Sequence, residues 1–127
     1  HGGLLGISGV SNDMRDLQSA AESGNGRARL AVDAFVSGII KQVGAFYAEL
    51  GGLDQLVFTG GIGEHSAFVR KAVCSQLRHL GIELDEEKNS SPAPAGVIST
   101  ADSEVIVTVI PANEELGVAR ETAAYEL

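Results

Sequence analysis

The stretch Leu56-Val57-Phe58-Thr59-Gly60-Gly61-Ile62-Gly63-Glu64-His65-Ser66 decides the architecture. Leu56-Val57-Phe58 is a short, β-rich apolar run and reads as a buried strand within 53–59. Gly60-Gly61-Ile62-Gly63 reads as a turn. Beyond Ser66, Val69, Val73, Leu77 and Leu80 recur at helical spacing, so a helix is expected over 66–80, ended by Gly81. On this reading Arg70, Lys71 and Arg78 lie off its apolar face. A buried strand that runs through glycines into a helix belongs to an α/β sheet covered by helices. Ligands of such sheets sit beyond the carboxyl ends of strands.

The same pattern extends outward in both directions. Val32, Val36, Ile39, Val43, Phe46 and Leu50 alternate at spacings of four and three, and Phe35, Ile40 and Tyr47 add a second apolar face. The expectation is a long helix over 27–50, buried on most sides and closed by Gly51-Gly52. Before it, Ser11-Asn12 precede a shorter helix over 13–23, and Gly2 to Val10 reads as a loop or extended piece. After the glycine turn come a short strand at 82–84, a polar loop over 85–96 and a strand at 97–98. Glu104 to Ile110 is a third strand, apolar enough to be buried on both faces, and a last helix is expected over 114–126.

Composition removes whole classes of function. The chain has 127 residues, 44% hydrophobic and 20% charged, which is enough for one domain with one core. Intrinsic disorder is excluded on that ground. A single cysteine excludes a disulfide framework, and without a Cys/His cluster a structural zinc site is excluded too. The net charge of −8 disfavours a nucleic-acid partner, because phosphate backbones would be repelled. No apolar run approaches a membrane span, so no membrane partner is expected. No signal-peptide pattern is visible, and the expected compartment is the cytoplasm. The chain opens on His1 rather than Met, which suggests a piece of a longer protein.

Three places carry polar residues that could do chemistry, and two of them, Thr59 to Ser66 and Pro111 to Leu116, are strand-to-helix junctions. The first is the glycine turn. It lacks the third glycine of a GxGxxG dinucleotide fingerprint, which disfavours a dinucleotide-dependent oxidoreductase, and there is no GxxxxGK[ST] phosphate loop. As a bare pattern it is either a ligand-facing wall or a tight corner that needs glycine for its geometry. The second is Asp13-Met14-Arg15, where local chemistry favours a capped helix with an acidic start over a ligand contact. The third is Asn113-Glu114-Glu115, where the helix dipole accounts for the two acids first and a carboxylate just past a buried strand would also suit magnesium. Glu83, Asp85, Glu86 and Glu87 read as a solvated edge, and Cys74 as inert packing.

Three strings in register change that balance. Gly3-Leu4-Leu5-Gly6-Ile7-Ser8-Gly9-Val10-Ser11-Asn12-Asp13-Met14-Arg15-Asp16-Leu17 is the first. Val57-Phe58-Thr59-Gly60-Gly61-Ile62-Gly63-Glu64 is the second. Pro111-Ala112-Asn113-Glu114-Glu115-Leu116, with Ala119-Arg120-Glu121-Thr122, is the third. Together they resemble the C-terminal part of the acetate kinase family, over essentially the whole chain. The match is nearer to acetate or propionate kinase than to the butyrate branch, whose glycine turn reads differently. The resemblance implies an α/β fold that is part of an actin-like ATPase domain, of the kind in actin, sugar kinases and heat-shock chaperones, with a small mixed sheet flanked by helices. It implies phosphoryl transfer between ATP and acetate or propionate, giving an acyl phosphate and ADP. It assigns nucleotide contacts to Asp13, Met14 and Arg15 and to Gly61, Ile62, Gly63, Glu64 and His65, and a Mg2+-associated role to Glu114. The family often carries Asn where this chain has His65; both can donate a hydrogen bond. The family's carboxylate-gripping arginines, its histidine and its essential aspartate lie in an N-terminal domain with no match here. Residues 1–127 are therefore expected to be a nucleotide-binding portion that is inactive alone, from a homodimeric enzyme with the 27–50 helix as a source of interface. The competing expectation is a non-catalytic α/β interaction module derived from a kinase.

Overall fold

The computed structural model describes residues 4–8, 13–93, 96–111 and 122–126, with backbone alone at 4–8, 13, 61, 62, 64 and 122–126. Its longest element is α2 (Gly26–Leu50), which comes after α1 (Asp13–Glu22). Asn25 caps α2, its side chain accepting the Ala28 N–H at 3.0 Å, and Gly51 closes it in the left-handed region. One stripe of α2, Val32, Val36, Ile39 and Val43, enters the core. Phe35, Ile40, Phe46 and Tyr47 pack half-buried beside it. Within a single chain the rest of the circumference is open, mostly Ala, Gly and charged residues with Leu30 71% exposed, so burial on most sides would require a subunit contact. By length and composition α2 is apolar enough to cross a membrane. Its inner stripe, packed into the core, is that of an amphipathic core helix.

The sheet has five strands in the order β3-β4-β2-β1-β5. They are β1 (Leu4–Ser8), β2 (Gln55–Thr59), β3 (Gly96–Val97), β4 (Ile106–Ile110) and β5 (Thr122–Glu126). β2 lies at the centre, parallel to β1 on one side and to β4 on the other, and β5 adds parallel to β1. Only the two-residue β3 runs antiparallel, so the sheet is mixed. Along β2 and β4, Leu56, Phe58, Val107 and Val109 face the helices and join the core cluster with α2 and with Val69, Val73 and Cys74. The alternate residues Val57, Thr59, Thr108 and Ile110 are buried as well, as expected for strands covered on both sides.

Five expectations change, the first being that 82–84 contribute only an isolated bridge, Leu84 to Ser99, rather than a strand. The glycine turn is a helix, α3 (Gly60–His65), joined to β2 with no intervening loop. Gly60 sits at φ +69°, which lets the chain turn out of the strand at that point. The next helix, α4 (Ala67–Ser75), is capped by Ser66, whose hydroxyl accepts the Val69 N–H at 3.1 Å, but it ends five residues early and gives way to a 3-10 turn (Arg78–Leu80). The polar segment after Gly81 contains α5 (Glu86–Ser90), with Asp85 accepting the Lys88 N–H at 3.1 Å; Glu86 and Glu87 in its first turn suit the helix dipole. Finally, 122–126 form β5 rather than the end of a helix, because pairing satisfies the open edge of β1 and overrides the local helical preference of Ala and Glu. Residues 112–121 lie outside the described residues.

Candidate functional site

Register and direction together define one edge of the sheet. Ser8 pairs with Thr59, and Thr59 with Ile110, so β1, β2 and β4 finish side by side and point the same way. The segments leaving these three strands are therefore delivered to the same edge. After β1 come Asp13, Met14 and Arg15 at the start of α1; after β2 comes α3 with Gly61 to His65; after β4 come Pro111 and then Glu114, which is outside the described residues. α3 touches all three strands and α4.

The side chains on this edge have different jobs. Met14 is 5% exposed and belongs to the core cluster; its side chain packs, which leaves only its backbone to meet a ligand. Arg15 is exposed, and so is His65 at the end of α3. Gly63 is buried, and Gly61, Ile62 and Glu64 are placed in α3 by their backbone. A cavity of about 390 Å³ opens beside α3, between His65, Ala67, Arg70, Ser91, Pro92 and Pro111. Thr59, the last residue of β2, is 2% exposed, and its hydroxyl has no hydrogen-bond partner among the described residues. An unpartnered buried hydroxyl is unfavourable, and this one sits at the strand tip from which α3 departs.

One residue of this region escapes recognition from sequence. Arg70, expected off the apolar face of its helix, is 2% exposed. Its Nε donates to Asn89 Oδ1 at 2.7 Å, one terminal nitrogen to the Asn89 carbonyl at 2.6 Å, and the other to the Gly63 carbonyl at 3.1 Å. Asn89 in turn donates its Nδ2 to the Ala67 carbonyl at 3.1 Å. A signal does exist: position 70 lies three and four residues before Val73 and Cys74, on the buried stripe. Burial pushes the guanidinium pKa down and the Cys74 thiol up to about 12. Cys74 is thus an inert core thiol, as its sequence context suggests.

The acetokinase family model matches residues 1–120. This chain belongs to the acetokinase family. It is 57% identical over 120 residues to the acetate kinase of Dictyoglomus thermophilum, covering 94% of this chain and 30% of the relative. With the acetate kinase of Methanosarcina acetivorans it shares 54% identity over 120 residues, again 94% of this chain and 29% of the relative. Acetokinase structures superpose as well. The Porphyromonas gingivalis acetate kinase gives a TM-score of 0.75 at 41% identity, over 87% of this chain and 28% of that one. A propionate kinase from Francisella tularensis gives 0.72 at 39%, over 86% and 28%. The fold is thus that of acetate kinases, and the chain spans about 30% of the length of the curated relatives it matches.

The acetokinase edge can be tested against the groups its family implies. For a nucleoside it fits: a glycine-bearing helix, a cavity lined by His65 at the end of that helix, and at the strand tip a buried hydroxyl with no partner among the described residues. For magnesium, no group of three or more His, Cys, Asp or Glu gathers among the described residues. Glu114, the acid that the family resemblance assigns to magnesium, lies outside the described residues; a magnesium ion bound mainly by substrate phosphates and water needs only one or two protein carboxylates.

Proposed function

We propose that residues 1–127 form the C-terminal, nucleotide-binding portion of a longer acetokinase that uses ATP and Mg2+ to phosphorylate acetate or propionate. In that reaction a carboxylate oxygen bonds to the γ-phosphorus as the bond to the ADP oxygen breaks, giving an acyl phosphate. The observation that carries the reading is the common edge: β1, β2 and β4, which the three family strings contain or directly follow in sequence, are adjacent, parallel and in register. α3 supplies the wall against which the adenosine lies, through Gly61, Ile62, Gly63, Glu64 and His65. Asp13 and Arg15 approach from the start of α1, with Met14 anchoring that start in the core. Glu114 stands beside the magnesium that neutralises phosphate charge. Most of the family's cations around the γ-phosphate have no match in this portion, and phosphoryl transfer rests on such positioning and neutralisation, so it is inactive alone. The complete enzyme is a cytoplasmic homodimer, with the outer face of α2 at the subunit contact.

The deciding experiment is Gly61→Val in the complete polypeptide. A side chain on the wall raises KM for ATP while the enzyme remains folded and KM for the carboxylate stays put. A folded variant with unchanged ATP affinity reduces α3 to a structural corner. For the isolated 127 residues, acetyl phosphate formation above that of a mock preparation would refute the claim that this portion is inactive.

A further inference from the structure

The geometry points to Arg70 as a positioning residue for the nucleoside wall, acting through the Gly63 carbonyl; this rests on the reading of α3 proposed above. α3 has little of its own to hold it in place. Three of its six residues are glycine, the residue that loses most conformational freedom in a helix and brings no side chain to pack. A helix this short does not hold itself together. Its position must therefore be imposed by its neighbours, and a wall that positions a ligand needs a definite place.

Arg70 supplies a fixed reference. Gly63 is in the last turn of α3, where carbonyls have no partner within the helix. The guanidinium meets that carbonyl at 3.1 Å while two of its other nitrogens hold Asn89. Asn89 is itself 4% exposed and tied back to Ala67 at the start of α4. One planar, rigid fork thus links α3, α4 and α5. Arg70 lines the cavity beside α3, yet its bonds to Gly63 and Asn89 reach a ligand only through the placement of α3. Lysine cannot reproduce this, because a flexible stem carrying a point charge does not direct three bonds in one plane.

The test uses the complete polypeptide, with Arg70→Lys, Asn89→Leu, Asn89→Asp and Gly61→Val. Arg70→Lys and Asn89→Leu each raise KM for ATP about tenfold or more, with kcat and KM for the carboxylate changed by less than about threefold, as expected for loss of charge-assisted bonds that fix a binding surface. Asn89→Asp keeps an oxygen for the guanidinium but gives up the donor to the Ala67 carbonyl, so it raises KM for ATP less than Asn89→Leu does. Thermal midpoints taken alongside separate positioning from bracing. Lower midpoints with unchanged KM for ATP in Arg70→Lys and Asn89→Leu overturn the proposal. If Arg70→Lys does not fold, Asn89→Leu is read alone by the same criterion. A null result for Gly61→Val removes the wall and this proposal together; a raised KM there with no change in the Arg70 and Asn89 variants removes this proposal only.

Discussion

Replacing Thr59 by valine trades a buried hydroxyl without a partner for a methyl group of nearly the same shape. Thr59 is 2% exposed at the end of the central strand, and no described residue bonds its Oγ1. An unsatisfied buried polar group costs about 1–3 kcal/mol, and an added buried methyl contributes roughly 0.8 kcal/mol. Imperfect fit of the methyl and relaxation of its neighbours reduce the sum, so we expect Thr59→Val to stabilise the chain by ~1 kcal/mol. For a domain of this size that is a rise of about 3–5 °C in Tm. Urea unfolding of both chains, observed by circular dichroism, should show a higher midpoint with an unchanged slope. A variant less stable than the parent would refute the reasoning, since it would mean that the hydroxyl is bonded in the folded chain. The same substitution in the complete enzyme asks whether the hydroxyl is reserved for a ligand: a raised KM for ATP with a raised Tm would mark a group kept unsatisfied for binding.

Gly81→Ala should destabilise the chain by about 2 kcal/mol or more in the same urea assay: the residue sits at φ +92° and a Cβ there would lie 2.8 Å from the Glu104 Cβ. Cys74 should resist thiol reagents in the folded chain near neutral pH. Its thiol pKa is pushed from 9.0 up to about 12 by burial, so the folded chain keeps a proton that the unfolded chain loses. That contribution to stability is complete below pH 9 and falls as pH rises toward 12, by on the order of 2 kcal/mol near pH ~10.5; Cys74→Ala should flatten the slope over that window. In the complete enzyme, Glu114→Gln should lower kcat by on the order of 100-fold and alter the magnesium dependence, the loss of several kcal/mol of metal-linked charge stabilisation, while Glu115→Gln changes both little. Equal, small effects at the two positions would sink the magnesium assignment.

Where side-chain periodicity and capping set the structure, the sequence was readable. Gly51 closes α2 as expected of a glycine after an apolar stripe, Leu56 to Phe58 and Val105 to Ile110 fall in or beside buried strands, and the Ser11-Asn12 cap lies outside the described residues. The errors share a physical cause. Gly60-Gly61-Ile62-Gly63 has no propensity that signals helix, and α3 exists because the strand tips and Arg70 hold it. The five residues of α5 are too few to show a period. β5 is made by pairing with a strand more than a hundred residues away, which no local window registers. The candidate site was legible as three strings, and the register that brings them together was not. Arg70 was misassigned because a charged residue on a helix is ordinarily solvated, and its partner Asn89 is on a segment read as loop.

The placement of β1 also bears on how the chain acquires its shape. Leu4 pairs with Gln55 on one side and Thr122 on the other, so this strand links segments of widely different sequence separation. β2 and β4 likewise meet only across the whole α3–α5 excursion. Parallel pairing of this kind carries a high contact order, and loop-closure entropy is spent before the contacts form. Folding should accordingly be slow for a chain of this length. Early structure should gather where separations are short, in the α1–α2 pair and around the α3–α4 corner. β1 should then be the late keystone, and amide exchange in β1 and β5 should report on the last cooperative step.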